Sequence, residues 1–244
     1  MLFFKARPVV FWLCFLLVAF SACKPRVRKL YSPPHYSFSD AVTVKLDLKL
    51  REISGLVYDS VNKLFYGVHD EVGKLFVFNR DLVLLPDTIT VGPNKGDYED
   101  LAIYNGSVYV LSSPGKLIRL SRDASGRFGE PVEEATIKLP GTNDFETLYA
   151  DPDRKALILI CKNCSTDDKK TVSAFAFYPD SVGFVDKPVF TIDADKVREL
   201  APVKTSKFQP SAAALHPRLK KLFILSSASN EMAVATPNVV VEAV

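Results

Sequence analysis

The chain has 244 residues, 48% hydrophobic and 24% charged with 4 Cys, a size that suits one large β domain or two small ones. That apolar fraction excludes collagen, coiled coil and a wholly disordered chain, and 4 Cys is too few for a disulfide framework. The formal charge is +3, and without Lys5 and Arg7 there are 29 basic residues against 28 acidic, so no basic stripe points to nucleic acid.

Residues 1–22 read as an export signal. Lys5 and Arg7 form its positive start, and Val9–Phe20 is apolar but short for a bilayer span. The segment ends in Phe20-Ser21-Ala22-Cys23, which resembles a bacterial lipobox with Phe20 in place of the usual Leu. The resemblance implies cleavage before Cys23 and lipid on that cysteine, each buried CH₂ contributing roughly 0.8 kcal/mol to membrane attachment. An uncleaved anchor helix and an ordinary secretory signal are the alternatives. Residues 23–40 are basic, then Pro/Ser-rich, and have the composition of a flexible tether. No acidic residue precedes Asp40, so an acidic sorting signal is absent and the outer membrane, facing the periplasm, is the expected location.

Residues 41–244 read as all-β. Val42–Leu48 alternates apolar and polar residues and predicts the first strand. Further strands are predicted at Ile53–Tyr58, Leu64–Val68, Lys74–Phe78, Glu99–Tyr104, Ser107–Leu111 and Lys116–Leu120. Leu157–Cys161, Val172–Tyr178 and Leu222–Leu225 continue the series, and only Asp193–Leu200 reads as a helix.

One motif recurs: Glu52-Ile53-Ser54-Gly55-Leu56, Asp97-Tyr98-Glu99-Asp100-Leu101, Asp144-Phe145-Glu146-Thr147-Leu148 and Gln209-Pro210-Ser211-Ala212-Ala213. Its third residues are spaced by 45, 47 and 65 positions, the last interval carrying the helical insertion. Each motif is followed by an apolar strand: LFYGVHD, SVYVLSS, ALILICK and KLFILSS. Such a period predicts four-stranded propeller blades, the motif opening the innermost strand. Val42–Leu48 would then be the outermost strand of the last blade and close the ring. The tail EMAVATPNVVVEAV fits no earlier strand, so about four blades with the last incomplete are expected, truncation or a frame change removing the rest. A compact four-bladed ring that uses Val239–Val244 as a strand is the alternative.

Residues two apart on a strand share a face. Alternation therefore groups Glu52 with Ser54, Asp97 with Glu99, Asp144 with Glu146 and Gln209 with Ser211, directing carboxylates toward one end of the channel. Glu52, Asp97, Glu99, Asp144 and Glu146 are the candidate metal ligands, because crowded carboxylates suit a hard cation, Ca²⁺ above all. Acids at strand starts also cap turns, which is the simpler reading of any one of them. Asp70-Glu71 falls near the same rim and reads as a solvated turn. Lys162 could neutralise the rim or stay a solvated lysine. Cys161 and Cys164 form a C-x-x-C that reads as a local disulfide or free thiols, since no thioredoxin-like βαβ pattern surrounds it. The scattered His35, His69 and His216 form no HExxH, and Ser112-Ser113 and Ser226-Ser227 lack a G-x-S-x-G elbow.

Taken in series, REISGLVYD (51–59), GVHDEVGKLFVFN (67–79), GDYEDLAIYNGSVYVL (96–111), NDFETLYADPDRKALIL (143–159) and FQPSAAALHPRLKKLFIL (208–225) resemble the SdiA-regulated family of bacterial envelope propellers. The resemblance implies a β-propeller laid out like calcium-dependent lactonase and paraoxonase-like propellers. Thr147 and Ala212 stand where the family often has Gly, and its later Glu-Gly repeat is missing after residue 230. The expected function is a lipid-anchored module binding a small molecule or protein at the channel mouth, its catalytic residues unknown and no nucleic acid involved. The alternative is a Ca²⁺-dependent hydrolase of esters, lactones or phosphoesters.

Overall fold

A computed structural model of the chain describes Ser32, residues 36–202 and residues 207–244. The expected signal segment, Cys23 and most of the tether lie outside the described residues. The chain divides into Met1–Val42 and Thr43–Val244. Within the first unit a 3-10 turn spans Phe38–Asp40.

The second unit is a four-bladed β-propeller of antiparallel sheets following one another in chain order. Blade one is β1 (Ile53–Asp59), β2 (Leu64–His69), β3 (Lys74–Phe78) and β4 (Leu84–Thr90). Blade two is β5 (Tyr98–Tyr104), β6 (Ser107–Ser112), β7 (Lys116–Leu120) and β8 (Val132–Thr136). Blade three is β9 (Asn143–Asp151), β10 (Ala156–Cys164) and β11 (Thr171–Tyr178), with β12 (Gly183–Phe184) and β13 (Phe190–Asp193) both pairing β11. Helix α1 (Ala194–Leu200) follows, capped by Asp193, whose carboxylate accepts from the Lys196 N–H at 3.0 Å. Blade four is β14 (Ala212–Leu215), β15 (Leu222–Ser226), β16 (Glu231–Ala235) and β17 (Val241–Ala243).

Two expectations are corrected. The last blade has its full complement of strands, Glu231–Ala235 and Val241–Ala243 taking the third and fourth places; the four-bladed alternative is the observed one. Val42–Leu48 is not a strand. With β17 already paired to β16 the place predicted for it is filled, and Leu48–Leu50 forms a 3-10 turn capped by Asp47. Leu46 and Leu50 instead lay their side chains against Phe76 and Phe78 of blade one.

Successive blades stack through apolar faces. Tyr66, Val68, Leu75 and Val77 of blade one meet Leu101, Val108, Val110 and Ile118 of blade two. Leu111 and Leu117 of blade two meet Leu148, Leu157, Leu159 and Phe175 of blade three. Ile158, Ile160 and Ala174 of blade three meet Leu222, Ile224 and Ala233 of blade four. The inner strands follow the same order, β1 against β5, β5 against β9 and β9 against β14. Continuous apolar runs such as Leu157–Ile160 are explained by this, since an inner blade is covered on both faces.

The fourth motif position faces the neighbouring inner strand, and its residue decides how close that strand comes. Asp100 is buried there, its carboxylate accepting from Leu148 N–H at 2.8 Å and from its neighbour Leu101 N–H at 2.8 Å. Burial pushes its carboxyl up to about 8 despite both donors. On its other side Asp100 touches Gly55, where a Cβ would lie 2.7 Å from Asp100 Oδ1 and 2.8 Å from its Cα. Gly55→Ala should therefore destabilise the domain by about 1–3 kcal/mol through overpacking. A urea titration checks this as a lower midpoint at unchanged slope.

Candidate functional site

The acidic mouth is assembled by backbone bonds passing from blade to blade. Asp70, just past β2, donates its N–H to Glu52 O at 3.0 Å, and its own carbonyl accepts from Tyr98 N–H at 2.9 Å. One blade further, Ser113 donates to Asp97 O at 3.0 Å and accepts from Phe145 N–H at 2.9 Å. In blades one and two the residue after the second strand is thereby clamped between the motif of its own blade and that of the next. Ser113 also donates its hydroxyl to Asp144 Oδ1 at 3.1 Å.

A β-bulge then re-aims the acids. Pairing skips one residue between Ile53 and Gly55, between Tyr98 and Asp100, and between Phe145 and Thr147. The bulged residues are Ser54, Glu99 and Glu146, the third motif position in three blades. Plain alternation would set Glu99 on one side with Leu101; the bulge instead lets Tyr98 and Leu101 share a face packed on blade one. Glu99 is freed to face the acids. The inner strand pair of blade four has no bulge, Ala212–Leu215 running in unbroken register with Leu222–Leu225.

Four of the five candidate ligands form one electrostatic group that splits in two. Lys162, near the end of β10, pairs with Glu146 and lies 3.7 Å from Asp144. Burial alone would lower its ammonium, but the hydrogen bond to Glu146 and the charges of Glu146, Asp144 and Glu99 outweigh this and raise it. Asp97 and Glu99 stand with Asp70, one carboxylate oxygen of each within 4.8 Å of the others. Burial, reinforced by the charges of Glu146, Asp97, Asp70 and Asp144, pushes Glu99 up to about 8. Asp70 is raised by burial and by the charges of Asp97, Glu71 and Glu52, His69 acting against them. Glu52, the fifth candidate, is outside the three-acid cluster and stands at its edge beside Asp70. Gln209 and Ser211 bind within their own blade, Gln209 N–H to Ser226 Oγ at 3.0 Å and Ser227 N–H to Ser211 Oγ at 3.1 Å.

Asp70 is the cluster member that the solvated-turn reading passes over. The strand-loop-strand path puts it there: the loop Gly92–Asp97 folds back over the end of the β2–β3 hairpin. Val91 N–H donates to Gly73 O at 2.9 Å, Lys95 N–H to Glu71 O at 2.5 Å and Ser112 Oγ to Gly96 O at 2.7 Å. Gly73 admits this approach, since a Cβ there would lie 2.0 Å from Gly92 O. Asp97 ends the loop at φ 55, a left-handed conformation that Asp tolerates better than most residues.

Cys161 and Cys164 are joined in a disulfide that brackets Lys162, as the local-disulfide reading expects. A groove of about 530 Å³ lies elsewhere, lined by Thr171, Asp193, Lys196 and Val240 among others, and contains none of the mouth carboxylates. Among the described residues no helix is long and apolar enough to cross a membrane.

No family model matches the chain, and no curated protein matches it. Solved structures are similar in fold. A nidogen/laminin complex is matched at TM-score 0.50 and 12% identity, over 76% of this chain and 60% of that one. A Bacteroides thetaiotaomicron protein of unknown function is matched at TM-score 0.50 and 11% identity, over 78% and 42%. Myxococcus xanthus glutaminyl cyclase is matched at TM-score 0.49 and 17% identity, over 74% and 70%. This chain thus spans 60% of the first of these. At such identities the likeness shows the propeller fold alone.

The raised carboxyl of Glu99 couples stability to pH. In cation-free buffer the unfolded chain loses this proton near 4.5 and the folded chain near 8, so stability falls as pH rises between them. Denaturant melts across that window should show the decline, and Glu99→Gln should flatten it, leaving the part that Asp100 contributes in the same direction.

Proposed function

We propose that this chain is a ligand-binding propeller of the SdiA-regulated type, whose acidic mouth takes a hard divalent cation or a cationic group of its ligand. One observation carries the reading. Asp70, Asp97 and Glu99 converge within 4.8 Å, while Lys162 is already engaged by Glu146 and Asp144. A cation arriving beside the three acids would displace the Glu99 proton and relieve the repulsion that holds it. Carboxylate oxygens are the ligands Ca²⁺ prefers, and waters or ligand oxygens would complete its six to eight positions. In the same reading the chain is a lipoprotein held at the membrane through Cys23, facing the periplasm from the outer membrane. The sequence around Phe20–Cys23 supports that part.

A second reading, hydrolysis of an ester, lactone or phosphoester, is favoured by Glu99 itself. A carboxyl held near 8 can donate a proton at neutral pH, as a general acid must. A bound cation would supply Lewis-acid polarisation of the scissile group.

Thermal melts in Ca²⁺ against EDTA test the binding reading. A Ca²⁺-dependent rise in Tm, abolished by Glu99→Gln or Asp97→Asn, is expected, and the rise should grow from pH 5 to pH 8 as Glu99 deprotonates. Lys162→Met removes the internal cation and should strengthen Ca²⁺ binding several-fold. No Tm shift with Ca²⁺ or any cationic ligand would refute the reading. Turnover of an ester or phosphoester panel, lost in Glu99→Gln, would select hydrolysis over binding alone.

A further inference from the structure

The seventh residue of the four second-strand segments is Asp70, Ser113, Lys162 and Ser227 in turn. In blades one and two its carbonyl is held by the next blade, Tyr98 N–H donating to Asp70 O and Phe145 N–H to Ser113 O, each at 2.9 Å. The residue that would hold Lys162 in the same way is the second of the fourth motif, Pro210. Proline has no N–H to give. The inter-blade clamp therefore cannot form at the residue whose ammonium neutralises the third motif. A covalent bond stands in its place. The register of β9 and β10 sets Cys161 opposite Phe145 and Asn163 opposite Asp144, and passes over Lys162. Three residues of regular strand span ~10 Å. Cys161 and Cys164 have their Cα atoms only 5.8 Å apart, so the disulfide keeps the strand gathered at Lys162 and Asn163. From that gathered strand Lys162 pairs with Glu146 and lies 3.7 Å from Asp144. Blades one and two, which have the backbone clamp, carry His69 and Val72 or Ser112 and Gly115 at the two cysteine positions.

We propose that the Cys161–Cys164 disulfide is a redox clamp on the acidic mouth. Closed, it holds Lys162 on Glu146 and Asp144; opened, it releases the lysine and leaves both acids to an external cation. Its effect on that cation rests on the cation-binding reading above, whereas its hold on Lys162 does not. Opening needs a dithiol reductant, whose thiolate attacks one sulfur of the pair, forms a mixed disulfide with it and expels the other sulfur as a thiolate. The second thiol of the reductant then displaces the remaining sulfur and leaves in a cyclic disulfide. The protein thereby gains two electrons and two protons and ends with two thiols.

Amine acetylation followed by mass spectrometry tests the clamp with no cation present. Lys162 should react several-fold faster in the dithiol-reduced chain, and in the Cys161→Ser/Cys164→Ser chain, than in the oxidised parent. Lys63, an exposed turn lysine of blade one, should react at one rate in all three. Calorimetric titration with Ca²⁺ should show several-fold tighter binding in the reduced parent than in the oxidised one. In Lys162→Met the oxidised and reduced chains should bind Ca²⁺ alike, a result that general loosening of the fold would not give. Equal acetylation of Lys162 in the two redox states overturns the proposal. So does a Ca²⁺ affinity that ignores reduction in the parent, or that responds to it equally in Lys162→Met. Ca²⁺ binding in neither state, with the difference in acetylation intact, would remove the cation-binding reading and support the clamp.

Discussion

The β-bulge shared by Ser54, Glu99 and Glu146 is the constraint on which the molecule is organised. A strand in plain alternation can serve two faces, and here both are claimed by neighbouring blades. The bulge inserts one residue that belongs to neither face. That residue can point along the axis without removing an apolar side chain from either junction, and in two blades it is a glutamate. The apolar ring and the acidic mouth are therefore compatible because of a local irregularity in pairing.

The same inner strands carry the electrostatics. Backbone bonds through Asp70 and Ser113 tie the first motif to the second and the second to the third, which holds the carboxylates together against their repulsion. Relief comes from protons and from Lys162. The lysine, on the strand end that the Cys161–Cys164 disulfide brackets, settles between Glu146 and Asp144 and leaves Glu99 to keep its proton far above the ordinary range. Buried Asp100, one residue away, takes a different role. It spends both oxygens on backbone N–H groups and fixes the distance between the inner strands of blades two and three.

Much of this was legible before any coordinates. The repeat of a motif with an apolar strand after it locates the inner and second strands of every blade, and the second strands of blades one to three, largely buried on both faces, read as apolar runs. The outer strands were not legible. Leu84–Thr90 contains a proline and an aspartate, and Val132–Thr136 carries two adjacent glutamates and is largely exposed, so neither shows the period of a buried strand. Glu231–Ala235 was not recognised as the third strand of blade four, and a strand at its end was foreseen only in the four-bladed alternative with Val239–Val244. The alternation of Val42–Leu48 misled in the opposite direction: its pattern suits a strand, yet the edge it would join is already occupied by Val241–Ala243.

By itself the sequence determined the number of modules, their order and the chemical character of the mouth, since periodic apolar runs and recurring acids are properties of the chain. Which acids meet was decided only by the tertiary structure. Asp70 is remote in sequence from Asp97 and Glu99, and a folded-back loop brings it to them, whereas Glu146 is drawn away by a lysine on the next strand. Pairing register and loop path are long-range outcomes of packing. No short stretch of sequence encodes them.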